Sequence, residues 1–577
     1  MHQAARVIIA AVLAVGGYLP AAVVATAPVA EAVGSSATGI WSVLGEYRVS
    51  PRPTSLTNRS REPIVTAHPY NALRLAVVYA AGPGEESHPV VRISHDGGKT
   101  WRSTSGHPRG GGSHPMVAWG PGPTRGSARL WYTAMVGKAN NYHFGVSYSD
   151  NEGATWHLAY IADNTRGWFG GMEDIAIDSN PASPNFGAIY LAYNWPKDPI
   201  RGDGLRVIAS RNFGRTWSET EVPKVAPPSG YGDAWRIGYK LTTAPDGSAY
   251  VAGYQLDMKH WSISCPFCKG GTSNVGRIAF GVSRLRLDRA TGRLTHSTNV
   301  LAVRLPETSW NLGYTSALKG VNVGLAEPCW ATGLVVDAKG RIYYAVAGDG
   351  RIRIVYSDDR GHTWHTRYLP HAPSANGRSQ LSMRPELVVG DGFVAVLFHT
   401  VDGSGSNRTA GNAVAVSFNR GATWVGPRPI NSHRWSIARI IARYNGPGLR
   451  DEATLLADGK TIYFAYGDGR DGLSAAFGAR IRITLPVAPP PPPPPTPTPP
   501  PTPQPTDSAA PAAPDVTPAP TARPTPTPTP VPTPKVTPAP TPEPTPTPTA
   551  TPAPTAPPTP TPAPPTDPPT TPSVDPG

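Results

Sequence analysis

From about residue 44 to residue 485 the chain is written in short apolar runs separated by clusters of Gly, Asp, Asn, Ser and Pro. Val90-Val91-Arg92-Ile93, Val207-Ile208-Ala209, Ile352-Arg353-Ile354-Val355-Tyr356 and Ala413-Val414-Ala415-Val416 are typical. Runs this short, rich in β-branched residues and bounded by turn formers, read as strands. Long stretches with apolar residues at helical spacing are absent, so the pattern predicts an all-β body.

Each of these runs is followed by the same phrase. It reads Ser94-His95-Asp96-Gly97-Gly98-Lys99-Thr100-Trp101, and returns at Ser149–Trp156, Ser210–Trp217, Ser357–Trp364 and Ser417–Trp424. The pattern is Ser-x-Asp/Asn-x-Gly-x-Thr-Trp. It predicts a hairpin turn: the Asp or Asn side chain bonds backbone N–H groups ahead of it, and Gly supplies a positive φ. Thr and Trp then open the returning strand. Five near-identical acids or amides, one per unit, are better explained as turn chemistry than as catalytic groups.

The closing tryptophans at 101, 156, 217, 364 and 424 are separated by 55, 61, 147 and 60 residues. The long gap spans about two and a half periods, so one unit has lost its phrase. Arg277–Thr298 fills the slot, with Asp288–Gly292 as the replacement turn. A second recurring phrase, an apolar strand, a short turn and an aromatic-rich strand, begins near 62, 115, 173, 238, 329, 386 and 452. That makes seven units. The last lacks the Trp phrase and an outer strand, which Glu46–Ser50 from the N-terminal segment could supply. Repetition at this period predicts a β-propeller of four-stranded blades. Seven blades is the count; six is the alternative.

In a four-stranded blade the turns alternate between two faces. The Trp phrases join third to fourth strands on one face, so the starts of the first strands converge on the other, around the channel mouth. Those starts are charged: Arg61-Glu62-Pro63, Met172-Glu173-Asp174, Asp233-Ala234-Trp235-Arg236, Arg384-Pro385-Glu386 and Arg450-Asp451-Glu452. Packed carboxylates raise one another's pKa and a neighbouring Arg lowers it, which can set an acid and a base side by side. Glu62, Glu173, Asp174, Asp233, Glu386 and Glu452 are therefore the candidate catalytic acids, and Arg236, Arg384 and Arg450 the candidate anion binders. A salt-bridged ring that merely seals the channel is the competing structural explanation.

The five phrases resemble the Asp-box of the sialidase and BNR-repeat propellers, over roughly residues 44–485. The resemblance implies exo-glycosidase action of the exo-α-sialidase type. It implies three arginines on the substrate carboxylate, a Tyr–Glu nucleophile and an Asp acid/base. Tyr47-Arg48-Val49-Ser50 is the nearest match to the family's first arginine phrase, which nominates Arg48. Tyr314, with Tyr231 as the other choice, is nominated as nucleophile. Between Arg48 and the first box the acids are Glu62, Glu85 and Glu86, with no Asp before Asp96. A non-catalytic carbohydrate-binding or adhesion propeller, or an extracellular assembly scaffold, stays open beside the enzyme.

The ends of the chain change the picture of address. A basic start, an apolar run from Val7 to about Val24 and small residues to Ala32 read as a signal peptide over 1–32, with a membrane anchor as the alternative. The propeller is expected over 40–486. Residues 487–577 are almost wholly Pro, Thr and Ala, so they read as a disordered, extended stalk. The protein is expected to be secreted or extracellular, with the stalk as a route to the cell surface, and monomeric. The formal net charge is +13, while the stalk carries more acids than bases, so the basic excess lies in the body. That suits glycans or other anionic polymers as partners; with no nucleic-acid-binding motif, nucleic acid is not expected. Neither a cofactor nor a metal is expected at the mouth. The three cysteines, Cys265, Cys268 and Cys329, allow a disulfide, unpaired thiols, or a zinc site with His260.

Overall fold

The computed structural model describes residues 40–55, 58–82, 88–106, 115–138, 141–161, 174–195, 204–223, 234–257, 278–298, 300–305, 332–348, 351–372, 381–403, 407–436 and 451–486. Those residues form seven antiparallel sheets. The blades, numbered in chain order, begin with Ser60–Ala67, Met116–Pro121, Asp174–Ile177, Ala234–Thr243, Thr332–Val336, Leu381–Gly390 and Glu452–Leu455. Each first strand packs against the first strands of the blades before and after it, and blade 7 against blade 1, so they line a closed ring. The count is seven blades, and six is set aside.

The Asp-box turns hold as the sequence predicts. Ser94 Oγ accepts the Gly98 N–H at 2.8 Å, and Asp96 Oδ1 accepts the Lys99 and Thr100 N–H groups at 3.0 and 2.9 Å. Trp101 Nε1 donates to Gly98 O at 3.1 Å. The bonds from the Gly N–H to Ser and from the Thr N–H to Asp or Asn recur around Asn151, Asn212, Asp359 and Asn419, and the indole bond recurs at Trp217 and Trp364. Burial works against ionisation of Asp96, but the bonds from Thr100 and its neighbours hold its carboxyl down to about 2. The replacement turn behaves alike: Asp288 accepts from the Thr291 N–H and hydroxyl at 2.7 and 2.6 Å.

The box glycine also sets how closely blades approach. Gly98 sits at φ +87°, and a Cβ there would lie 2.0 Å from the ring of Tyr463 in blade 7. Gly214, at φ +82°, would put one 2.6 Å from Trp131 in blade 2. Trp131 and Tyr463 are fully buried, and removing such a ring from water contributes roughly 4–6 kcal/mol. The core is thus a set of layers between blades. One joins Tyr250 and Phe280 of blade 4 to Tyr344 of blade 5.

Blade 7 is completed from the other end of the chain. Its order is Ile40–Arg48, Ala475–Thr484, Thr461–Asp468 and Glu452–Leu455. Ile40 lies opposite Thr484 and Arg48 opposite Phe477, with an irregularity at Gly45. The closing strand expected at Glu46–Ser50 is therefore present but longer, beginning at Ile40.

Candidate functional site

Three first strands carry the same irregularity near the channel mouth. The ladder slips between Arg61 and Ile64 in blade 1, Ile237 and Lys240 in blade 4, and Met383 and Glu386 in blade 6. In blades 1 and 6 the residue before proline takes a left-handed backbone: Glu62 at φ 55° and Arg384 at φ 54°. Such a conformation costs on the order of 1–3 kcal/mol for a non-glycine residue. A bulge re-aims the side chains that follow it. Here the residues after two of the bulges are Lys240 and Glu386.

These side chains meet. Lys240 Nζ lies 3.0 Å from Glu386 Oε2 and 2.9 Å from Glu452 Oε2. Asp174 Oδ2 accepts the Leu241 N–H at 2.6 Å, which fixes a third carboxylate next to the lysine strand. Four blades thus contribute to one cluster. Exposure rises across it, from 6% for the Glu386 side chain to 20% for Glu452. Burial pushes the Glu386 carboxyl well above the usual carboxylate range; Lys240 pulls it down, and Glu452 and Asp174 push it up further. Both glutamates touch one ammonium, so their nearest oxygens are no more than about 6 Å apart. The cluster therefore sets a raised carboxyl and a second, more exposed glutamate on either side of one ammonium.

A second pair sits behind it. His399 Nε2 contacts Asp451 Oδ2, both side chains 1% exposed, and the Gly467 N–H donates to Asp451 Oδ1 at 3.1 Å. This ties the second strand of blade 6 to the residue just before Glu452.

Of the residues nominated from the sequence, Asp174, Glu386 and Glu452 come together. Glu62 and Arg384 are buried on the first strands of blades 1 and 6. Arg48 lies on the outermost strand of blade 7, with its Nη1 2.6 Å from Asp471 Oδ2 and its guanidinium 4.6 Å from the centre of the Phe477 ring. Arg470 covers Phe477 as well, at 4.3 Å, and binds Glu46 at 2.9 Å. Arg236 falls in the first strand of blade 4; its side chain lies outside the described residues. Glu173, Asp233, Tyr314 and Arg450 lie outside them too, as do Glu85, Glu86, Tyr231, His260 and the three cysteines. Among the described residues no group of three or more His, Cys, Asp or Glu could hold a metal ion.

Sequence reasoning missed Lys240 and His399, and it placed Asp451 among the charged strand starts without giving it a role. Lys240 had a signal. The units beginning near 238 and 386 align Gly238-Tyr239-Lys240 with Arg384-Pro385-Glu386, so the lysine occupies the place of the central glutamate. His399 lies on a second strand, where only the folded register brings it to Asp451.

The Asp-boxes lie on the opposite face and take no part in this cluster. A family profile for the BNR/Asp-box repeat matches residues 92–103, the first box. No curated protein matches the chain. Similar solved structures include an α-L-arabinofuranosidase of Fusarium graminearum, at 11% identity over 76% of this chain and 98% of that one, TM-score 0.39. An ulvan lyase aligns at 13% identity over 74% and 94%, TM-score 0.43. The sialidase of Trypanosoma rangeli aligns at 14% identity over 53% and 45%, TM-score 0.30. With the repeat matched at its first box and the Thr N–H to Asp/Asn turn bond recurring in four further blades, the chain is a seven-bladed β-propeller that carries BNR/Asp-box repeats.

Proposed function

We propose that the protein is a secreted propeller that engages glycans at its channel mouth and cleaves a glycosidic bond there. Glu386 is the proton donor and Glu452 the facing carboxylate. The observation that carries this reading is the contrast between them. Glu386 is buried, with its carboxyl pushed up by desolvation and by its acidic neighbours. Glu452, more exposed, is ion-paired to Lys240 at 2.9 Å. Retaining glycosidases hold their two carboxyl groups roughly 5–5.5 Å apart, and the upper bound of about 6 Å here accommodates that spacing.

In this scheme Glu386 gives its proton to the glycosidic oxygen as the bond to the anomeric carbon breaks, and the alcohol leaves. Glu452 attacks that carbon. Glu386, now ionised, takes a proton from the water that releases the sugar. Lys240 offsets the negative charge that passes between the two glutamates. The finer reading is an exo-acting enzyme on acidic sugars. Arg384, two residues before Glu386, supports it as a carboxylate clamp, with Arg236 and Arg450 completing the set. Residues 1–32 support export of the chain, and 487–577 support a stalk that carries the propeller away from a surface.

One observation favours a second reading. Lys240 already satisfies both glutamates, as a seal of the channel would, and the mouth would then be a non-catalytic carbohydrate-binding surface. The test is a panel of 4-methylumbelliferyl glycosides, sialoside and α-L-arabinofuranoside included, offered to the full chain and to Glu386→Gln and Glu452→Gln. Release of the fluorophore that drops about 100-fold or more in both variants is expected. Absence of release on every glycoside, with retention on a glycan array, would replace hydrolysis by binding.

A further inference from the structure

On the Asp-box face, two seams between blades share an arginine clamp that the seam after blade 3 lacks. In blade 2, Arg129 holds Asp150 through two bonds of 2.7 Å and reaches the Phe213 carbonyl of blade 3 at 2.8 Å. In blade 5, Arg341 holds Asp358 at 2.7 and 2.5 Å and reaches the Arg420 carbonyl of blade 6 at 2.7 Å. These are the same clamp. The arginine precedes the residue opposite the box serine, and the acid follows that serine. In blade 3, Ile189 lies opposite Ser210, so the equivalent positions hold Ala188 and Arg211. The clamp is gone, and its acid has become a cation. Blade 4, next in the ring, has no Asp-box and turns at Asp288–Gly292 instead.

Between the two turns lies a cleft of about 670 Å³, lined among others by Arg211, Asn212, Thr216, Trp217, Thr291 and Arg293. Its volume falls within the roughly 300–1,000 Å³ of small-ligand sites. Arg211 makes a 3.5 Å contact to the Asp288 carbonyl, and among the described residues neither arginine has a carboxylate within ion-pair distance. Asp288 is close enough for its charge to act on Arg211, while its Oδ1 accepts from the Ala290 and Thr291 N–H groups and the Thr291 hydroxyl.

Box composition adds a donor. In blades 1 and 5, the Thr100 and Thr363 hydroxyls donate into Asp96 and Asp359, each at 2.6 Å. In blade 3 the amide of Asn212 takes the acid's place, and its Nδ2 donates to Thr216 Oγ1 at 2.8 Å. The Thr216 hydroxyl therefore accepts that bond and keeps its own proton to give away. Two guanidinium groups and a hydroxyl donor beside a tryptophan select an oxyanion carried on a ring.

We propose that this cleft binds the carboxylate or sulfate group of an acidic saccharide, as a second glycan site on the face opposite the channel mouth. It is independent of whether the mouth is catalytic. The test is calorimetric titration of the full chain with tetragalacturonate, chondroitin sulfate tetrasaccharide and, as neutral control, cellotetraose. Arg211→Ala and Arg293→Ala are each expected to weaken an acidic probe by about tenfold or more. Arg125→Ala, in an exposed turn of blade 2, is expected to leave that affinity unchanged. Binding of one acidic probe and not the other supports the site and identifies its anion. The proposal is overturned if neither acidic probe binds, if both cleft variants bind as tightly as the parent, or if Arg125→Ala weakens binding equally.

Discussion

At the scale of single residues, Lys240 decides the character of the mouth. It is the one cause that lowers the Glu386 carboxyl against burial, Glu452 and Asp174. Lys240→Met would leave those carboxylates facing one another without a counter-charge. Breaking a buried pair in this way costs about 3–5 kcal/mol. The sign of the pH dependence follows from the raised carboxyl. Between the ordinary carboxylate value and the raised one, the folded state holds a proton that the unfolded state has released. Stability therefore falls as pH rises through that window. Removing Lys240 raises the upper edge, so the loss should be larger at pH 8 than at pH 5. Urea unfolding of parent and variant at the two pH values checks this. An equal loss at both would mean that Lys240 does not control the ionisation of Glu386.

At the scale of the element, the Asp-box hairpin shows what a sequence can specify by itself. The bonds made by the Ser, Asp or Asn, Thr and Trp side chains within it join residues no more than four positions apart, so eight residues carry the turn geometry. That is why the turns, the blade period and the replacement turn at Asp288 were legible. The mouth was legible only in part. Asp174, Glu386 and Glu452 stood out because the repeat places first strands around the channel; Asp174 and Glu452 open theirs, while Glu386 lies inside Leu381–Gly390. The partnership of Lys240 with residues 146 and 212 positions away depends on bulges that slip the register, and no local pattern fixes those. The chain's own variation yields a prediction for the hairpin. Three boxes use Asn where two use Asp, so Asp96→Asn should fold with little loss, retaining bonds to the Thr100 N–H and hydroxyl. Asp96→Ala loses all of them and should cost about 2 kcal/mol. The bonds of ionised Asp96 give stability that is present above the ordinary carboxylate value and lost as pH falls toward about 2. Thermal unfolding of the three proteins from pH 7 to pH 2 should therefore show parent and Asp96→Asn converging with acid. Parallel curves would assign the difference to packing.

At the scale of the molecule, the ring closes through residues far apart in the chain. Ile40–Arg48 supplies the outer strand of blade 7, and Glu46 gathers Tyr466 Oη at 2.6 Å, Arg470 at 2.9 Å and the Ser432 N–H at 2.7 Å. The closing strand is thus tied to blade 6 as well as blade 7. Blade 7 meets blade 1 through the Tyr463 hydroxyl, which donates to Gly98 O at 3.0 Å. Without the closing strand, Ala475–Thr484 becomes an edge with unpaired N–H and C=O groups along its length, and an exposed edge templates association with another chain. Deleting residues 40–48 should therefore do more than lower stability. The variant should unfold at markedly lower denaturant and form oligomers through that edge, seen by light scattering after size exclusion. A peptide of sequence 40–48 added in trans should restore the parent's elution by pairing with Ala475–Thr484. A variant that keeps the parent's elution and unfolding midpoint would show that the apolar layers between blades hold the ring closed without its outer strand.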